Sequence, residues 1–402
     1  MKNIVIAGAS LAGLRAAEEL RAQGYDGSIH LIGDEPHLPY DRPPLSKQVL
    51  AGNWEPDRVS LINPERHESL NFEWHLGQRA VNLNLDSQTV TLSSGADLEY
   101  DGLIITTGAR CRTLPGSENL QGVYTLRGLD DALAIRTAFE SNPNRVVVVG
   151  AGFIGAEVAA TARERNLEVS MVEVAPVPFE RVLGAEMGEV LADVHRDHGV
   201  EVITGIGVDS LKGDQKVEKV VLSDGREIDA DVVVIGIGVI PNTEWLEESG
   251  LEIDNGIVCD ETCLAAPNVV AAGDVARWPN VLFDEVMRVE HWDNAVEQGM
   301  YAARRLLSGD TSIDPYTPTP WFWTDQFDRK IQLAGRTRPD DEIRIITGST
   351  EERRFATIYG REGRLVGILG FNRPRHVMKY KQMIADRVSW ADAIAHAEEQ
   401  SS

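Results

Sequence analysis

The sequence predicts an α/β fold: two copies of one strand–turn–helix–strand unit, the second set inside the first, followed by an α+β domain. Three stretches predict it. The first is Val146-Val-Val-Val-Gly-Ala-Gly-Phe-Ile-Gly-Ala-Glu157. Its β-branched run reads as a buried parallel strand, and its glycines form an unbroken G-x-G-x-x-G turn. The second is the opening, Lys2-Asn-Ile-Val-Ile-Ala-Gly-Ala-Ser-Leu-Ala-Gly13, the same pattern with Ser10 in place of the middle glycine. The third is an internal echo. Leu92-Ser-Ser-Gly95, Tyr100-Asp101 and Leu103-Ile-Ile-Thr-Thr-Gly108 match Leu222-Ser-Asp-Gly225, Ala230-Asp231 and Val233-Val-Ile-Gly-Ile-Gly238. In each copy a hairpin turn on Ser-Gly or Asp-Gly leads to an apolar strand that ends in glycine.

Each position in the inner copy has a physical reason. Gly150 permits the tight turn, and Gly152 lets backbone N–H groups approach a pyrophosphate. Gly155 lets the following helix, predicted over 153–166, pack close to the strand, with its positive dipole end facing the phosphates. A second strand, 167–173, ends in Glu173, where a carboxylate can take both ribose hydroxyls. An isolated glycine turn also fits an ordinary strand–turn–helix; the flanking strands and the acid make this one a dinucleotide site. Its expected dinucleotide residues, assigned to NAD by the resemblance given below, are Gly150, Gly152, Phe153, Ile154, Gly155, Glu157 and Glu173, with Gly238 closing the echo strand.

The outer copy reads alike. A helix is predicted over 11–23, then a strand over 28–33 that ends in Asp34-Glu35. Ser10 is small enough for close phosphate approach. Two Rossmann-like units imply two dinucleotides, commonly a flavin with a nicotinamide. The outer unit has too few strands before residue 110 to finish a sheet. Val269-Val-Ala-Ala-Gly-Asp274 supplies the missing one, and a helix follows over 294–307. The expected division is therefore a discontinuous outer dinucleotide domain, 1–109 and 243–320, and an inserted one, 110–242, which the family resemblance given below makes the FAD and NAD domains. The Pro-rich linker Pro315-Tyr-Thr-Pro-Thr-Pro320 then opens an α+β domain over 321–402. That domain should hold strands at 330–335 and 342–346, a hairpin across Gly360-Arg-Glu-Gly363, and two short closing helices.

Composition bounds the rest. The chain has 402 residues, 43% of them hydrophobic and 25% charged, which suits two or three domains. No uncharged apolar window of about 18 residues predicts a membrane span. The N-terminus enters a strand at once, so no signal peptide is expected. Cys111, Cys259 and Cys263 make no disulfide framework and suit a reducing cytoplasm. A net charge of −24 argues against nucleic acid as a partner.

Several longer segments are more specific than a glycine turn. They are Gly33-Asp-Glu-Pro36, Pro39-Tyr-Asp-Arg-Pro-Pro-Leu-Ser-Lys47, Thr106-Thr-Gly-Ala109, Arg127, Gly236-Ile-Gly-Val-Ile-Pro-Asn242, Gly273-Asp274, Glu290-His-Trp-Asp-Asn294 and Pro320-Trp-Phe-Trp-Thr-Asp-Gln326. Nearly end to end, the chain resembles the FAD-dependent, NADH-using ferredoxin reductases that serve bacterial Rieske dioxygenases and cytochromes P450. That family has a glutathione-reductase-like fold and is also similar to rubredoxin reductases and apoptosis-inducing factor. The resemblance implies that Gly8, Ala12 and Gly13 cradle the FAD pyrophosphate, with Asp34 or Glu35 on the adenosine ribose. It places Arg42 and Lys47 facing the FAD, the Ala80 backbone at the adenine, and Gly108 and Arg127 along the same groove. It gives Asp274 the ribityl chain and Trp292 the pyrimidine end of the flavin. For Trp321 and Trp323 two readings stand, flavin contact or packing at a domain seam. Lys47 and Glu157 resemble the family's ion pair beside the flavin, so they are the candidate catalytic residues.

The implied activity is transfer of hydride from NADH to FAD and of single electrons onward to a [2Fe–2S] ferredoxin that feeds an oxygenase. The cofactors carry this chemistry, and no protein general acid or base is needed. Absences sharpen it. No Cys-x-x-Cys or Cys-x4-Cys follows either nucleotide strand, which argues against disulfide reduction. Cys259 and Cys263 share a strand-like run without a histidine pattern, so no metal site is expected. A rubredoxin or quinone reductase, and a non-enzymatic NADH-sensing flavoprotein, remain as alternatives, and the oligomeric state, monomer or weak dimer, stays open. The densest basic runs are Arg373-Pro-Arg375 with His376, Lys379 and Lys381, and the pair Arg304-Arg305. They are either a ferredoxin-steering patch or a solvated helix face.

Overall fold

A computed structural model of the chain describes residues 1–63, 65, 70–309 and 311–401, excepting the Ser401 side chain. Two compact units emerge. The first comprises Met1–Asp41, Val59–Arg110 and Ile240–Pro320. The second comprises Arg42–Arg58, Cys111–Val239 and Trp321–Ser402.

The first unit is built on a six-stranded sheet. Its order is Leu264–Ala266, Val269–Ala271, Gly102–Ile105, Asn3–Ala7, Ser28–Gly33 and Glu73–Leu76. All neighbours run parallel except the first pair. Val269–Ala271 thus joins the opening strands, as the sequence requires. The central strand is covered on both faces, so Ile4, Val5, Ile6 and Ala7 are all fully buried. The helices Leu11–Ala22 and Trp292–Ser308 pack together where an added Cβ at Gly299 would lie 2.5 Å from the Ala12 carbonyl oxygen.

The second unit repeats the theme with a five-stranded parallel sheet. Its order is Glu201–Thr204, Val169–Glu173, Val146–Val149, Val232–Ile235 and Val123–Thr125. The echo seen in the sequence is a small antiparallel three-stranded sheet in each unit. One is Ala80–Asn84, Thr89–Leu92 and Asp97–Glu99; the other is Val208–Lys212, Lys219–Leu222 and Glu227–Asp229. Their turns pivot on Gly95 at φ +84° and Gly225 at φ +87°, a conformation glycine adopts without strain.

The second unit also carries a five-stranded antiparallel sheet ordered Trp321–Gln326, Arg329–Gly335, Arg364–Phe371, Arg354–Arg361 and Glu342–Ser349. The helix Glu180–Asp197 lays Leu183, Met187, Leu191 and Val194 against Ile331, Leu333, Phe355 and Phe371 of that sheet. Met187, Leu191 and Val194 recur at the spacing that makes one apolar stripe, and Leu183 joins them from across a break at Gly184, whose φ is +76°. Helices Pro374–Ala385 and Trp390–Ser401 close the chain.

Arg42–Arg58 groups with the second unit although its neighbours in sequence belong to the first. Named bonds within the unit hold it. Arg42 Nη1 donates to the Arg127 carbonyl at 2.7 Å, Thr161 Oγ1 to the Ser46 carbonyl at 2.8 Å, and Arg165 Nη1 to the Leu50 carbonyl at 3.1 Å.

Candidate functional site

In the second unit the strand Val146–Val149 runs through the glycine turn into the helix Phe153–Glu164. The helix is shorter than the sequence predicts, because Asn166 takes φ +62° and ends it. The turn is closed by its own backbone. An added Cβ at Gly150, whose φ is +98°, would stand 2.3 Å from the Gly236 carbonyl oxygen. One at Gly155 would stand 2.1 Å from the Gly150 carbonyl oxygen. Gly152 differs, since an added Cβ there meets nothing closer than the Gly236 carbonyl oxygen at 3.9 Å among the described residues beyond its chain neighbours. The space that Gly152 leaves open at the helix N-terminus suits a phosphate group from outside the chain.

Glu173 stands at the end of the next strand. Its carboxylate accepts hydrogen bonds from the Ala151 N–H at 2.8 Å and the Ala175 N–H at 2.9 Å. One oxygen is thereby tied to the glycine turn and the other to the following loop. Each retains lone-pair capacity for a ribose hydroxyl. Ile154, Val174 and Ile237 are exposed around this mouth. Gly238 takes φ +97°, and its carbonyl accepts the Arg112 N–H at 2.9 Å.

The first unit shows the matching cradle. Gly8 takes φ +124°, and a Cβ there would lie 2.1 Å from the Thr106 carbonyl oxygen. A Cβ on Gly13 would lie 1.9 Å from the Gly8 carbonyl oxygen. Gly273 takes φ +76°, and a Cβ there would lie 3.2 Å from the Ala12 methyl, so the turn that carries Asp274 runs close beside the first helix. Beyond the Ser28–Gly33 strand the two acids part. Asp34 forms an exposed pair with Arg79 at 3.0 Å, whereas Glu35 accepts the Tyr40 hydroxyl. Trp292 Nε1 donates to Asp41 at 2.7 Å. Ala80 is buried at the start of its strand, and Gly108 takes φ +66°. These are the small residues, open backbone and acid that an FAD pyrophosphate and ribose need.

Lys47 and Glu157 lie far apart in sequence, and the second unit brings them together at 3.0 Å. Pro43 and Pro44 stiffen the approach to a π-helical turn, Leu45–Val49, a form that recurs at functional sites. That turn presents Ser46 and Lys47 to the helix Phe153–Glu164. Glu157 is 3% exposed and fully engaged: Oε1 takes Lys47 and the Thr324 hydroxyl at 2.8 Å, and Oε2 takes the Ser46 hydroxyl. Phe153, one helical turn earlier, sits 4.0 Å from the Phe179 ring and 4.1 Å from the Phe322 ring. Trp321 and Trp323 stand with ring centroids 5.6 Å apart on the opposite face of their strand, and Lys381 lies 5.4 Å over Trp321. Nothing in the sequence marks Ser46 or Thr324 individually, although both lie inside the specific segments 39–47 and 320–326.

The expected flavin residues divide between the units. Gly8, Ala12, Gly13, Asp34, Glu35, Ala80, Gly108, Asp274 and Trp292 belong to the first, and Arg42, Lys47, Arg127 and Trp321 to the second. The cysteines hold one surprise: Cys263 occupies a turn at φ +64° rather than a strand-like run. Burial pushes the Cys259 thiol up to about 12, pushes Cys263 well up, and raises Cys111. None is a thiolate near neutral pH, as a thiol nucleophile must be. Of the basic residues, Arg304 is held by Glu19 at 2.9 Å, and Arg305 by Thr262, Ser308 and the Gly309 carbonyl.

A pyridine nucleotide-disulphide oxidoreductase model matches residues 2–299, and a reductase C-terminal model matches 321–401. The chain belongs to the pyridine nucleotide-disulphide oxidoreductase family. It is an FAD- and NAD(H)-using oxidoreductase. Putidaredoxin reductase CamA of Pseudomonas putida is 37% identical over 394 residues, spanning 96% of this chain and 92% of that protein. Rhodocoxin reductase of Rhodococcus erythropolis is 39% identical over 393 residues, spanning 95% and 89%. Among solved structures, the covalent putidaredoxin reductase–putidaredoxin complex matches with a TM-score of 0.91 at 37% identity, covering 96% of this chain and 94% of that one. No helix among the described residues is long and apolar enough to cross a membrane.

Proposed function

We propose that the chain is an NADH-dependent reductase of a [2Fe–2S] ferredoxin that feeds an oxygenase. The observation that carries this reading is likeness along nearly the whole chain to proteins named as reductases of putidaredoxin and rhodocoxin, and as the ferredoxin reductase component of chlorobenzene dioxygenase. The absence of a Cys-x-x-Cys beside either nucleotide strand supports the same branch over disulfide reduction.

FAD, when bound, accepts two electrons from NADH and supplies them one at a time. The chain's own residues bind and orient. Gly8, Ala12 and Gly13 hold the FAD pyrophosphate against backbone. Asp34 takes the adenosine ribose, because its exposed pair with Arg79 is worth little and is readily exchanged. Asp274, Trp292, Ala80 and Gly108 line the rest of that site within the first unit. Gly150, Gly152, Phe153, Ile154 and Gly155 receive the NADH pyrophosphate, Gly238 borders that site, and Glu173 receives the ribose hydroxyls. The Lys47–Glu157 pair stands at the nicotinamide end and fixes the position of charge there without exchanging a proton. Orientation of this kind is where a protein accelerates transfer between bound cofactors.

The deciding experiment measures NADH-dependent cytochrome c reduction with and without added [2Fe–2S] ferredoxins. Turnover that rises steeply with one ferredoxin supports the reading. Equal turnover with a quinone and no ferredoxin response would replace it with a quinone reductase. Slow reoxidation by every carrier would replace it with an NADH sensor.

A further inference from the structure

The Lys47–Glu157 pair is one end of a longer buried chain of hydrogen bonds. Glu157 Oε1 accepts the Thr324 hydroxyl at 2.8 Å. Thr324 Oγ1 accepts the Gln326 amide at 3.2 Å. Gln326 Oε1 lies 3.0 Å from His195 Nε2. Thr324 and Gln326 are fully buried, and His195 is 1% exposed.

The chain has a direction, and the inventory of donors sets it. Glu157 is a carboxylate that already takes Lys47 and Ser46, so the Thr324 hydroxyl is the donor. With its proton committed, Thr324 Oγ1 must accept, which turns the Gln326 NH2 toward it. Gln326 then presents its carbonyl oxygen to His195, so His195 Nε2 carries the proton. In a neutral imidazole that leaves Nδ1 as the bare acceptor. His195 Nδ1 is buried with no hydrogen-bond partner among the described residues, which costs less for a bare nitrogen than for an N–H. Burial holds the imidazole neutral, pushing its pKa down to about 4. Every donor therefore points toward Glu157, with no second charge in the row.

The register explains how the row is built. Side chains two apart on a strand share a face, and those four apart on a helix share a stripe. Phe322, Thr324 and Gln326 lie on one face of the strand Trp321–Gln326. They meet Phe153, Glu157 and His195 in turn, the first two one helical turn apart and the third on the neighbouring helix Glu180–Asp197. Lys47 reaches Glu157 on a flexible stem that fixes no carboxylate orientation by itself. A strand backed by a packed sheet does.

We propose that Thr324 and Gln326, anchored by His195, are positioning residues that set the orientation of the Glu157 carboxylate for NADH oxidation. The inference rests on the proposed role of the Lys47–Glu157 pair. Its test uses the FAD-loaded enzyme in stopped-flow reduction by NADH, with thermal unfolding and 15N-histidine NMR alongside. Thr324→Val keeps the shape and removes the donor to Glu157. It should lower the limiting rate of flavin reduction about tenfold, the scale of one hydrogen bond to a charged group, while the Kd for NADH stays within about twofold. Gln326→Met should lower the rate less, and Thr324→Ser should restore it. The NMR spectrum of the unaltered enzyme should show His195 as the Nε2–H tautomer at neutral pH. Wild-type rates in both variants would overturn the inference even if Glu157→Gln slows reduction. A wild-type rate in Glu157→Gln would overturn the reading of the ion pair and this inference with it. An Nδ1–H tautomer would reverse the row and refute the inference without any variant having to fold.

Discussion

Replacing Lys47 by Met would leave the Glu157 carboxylate buried without its cation, while methionine keeps most of the stem's packing. At 3.0 Å the pair's direct attraction is about 5 kcal/mol at an effective dielectric near 20, before desolvation is subtracted. Breaking a buried pair from one side typically costs about 3–5 kcal/mol, because the remaining charge is uncompensated. Glu157 keeps the Ser46 and Thr324 hydroxyls, which offset part of that. The expected loss is therefore at the lower end, about 3 kcal/mol. Urea unfolding of the FAD-loaded enzyme reads it as a fall in midpoint at constant slope. The double variant Lys47→Met/Glu157→Gln removes both charges and should recover more than half of the loss, giving a non-additive cycle. Stopped-flow reduction by NADH should slow in Lys47→Met with the yellow FAD still bound. A loss below about 0.5 kcal/mol, the size of an ordinary surface change, together with a wild-type reduction rate, would make the lysine a bystander and refute the reasoning.

Three further outcomes follow from other parts of the site. Glu173→Ala removes the carboxylate that would repel a 2′-phosphate, so the preference in kcat/KM for NADH over NADPH should narrow; an unchanged ratio would move the specificity elsewhere. Gly155→Ala forces a Cβ to within 2.1 Å of the Gly150 carbonyl oxygen, so the Kd for NADH should rise at least about tenfold, the effect of even 1.4 kcal/mol of strain at the turn; calorimetric titration checks it. Acid sensitivity should depend on His195, whose pKa falls from 6.5 to about 4 on folding, chiefly through burial. The unfolded chain then binds the proton first, so this stability is complete above pH 6.5 and declines as the pH falls toward 4, by about 3 kcal/mol in all. Urea midpoints of His195→Gln should fall less than those of the unaltered protein across that window, and parallel curves would show that His195 titrates freely.

What the sequence revealed and what it concealed have one physical cause. Gly150 and Gly155 are legible because the backbone forces them. The local turn permits no Cβ, so the residue type is fixed by neighbours a few positions away. The doubling of the unit is legible because Gly95 and Gly225 mark the same turn in both copies. The return of Val269–Ala271 to the opening strands was legible for a different reason. A sheet with one edge missing must be completed from somewhere, and that run is apolar and ends in Gly-Asp. Lys47 and Glu157, by contrast, were paired only through the resemblance. No spacing rule connects them, and each taken alone reads as a solvated charge.

Thr324, Gln326 and His195 lie one step further from the sequence. Each is a polar residue whose bland reading, an exposed strand or helix position, is the commoner one, and nothing local marks them as buried. Their burial follows from two periodicities meeting: a strand of period two laid across a helix of period 3.6, with Phe322 against Phe153 fixing the register. Once that aromatic contact is set, Thr324 must fall opposite Glu157. A slip of one residue would instead turn Trp323 and Asp325 inward and bring a second carboxylate to the buried one. The identity of residue 324 is therefore constrained by the helix it faces rather than by its own strand.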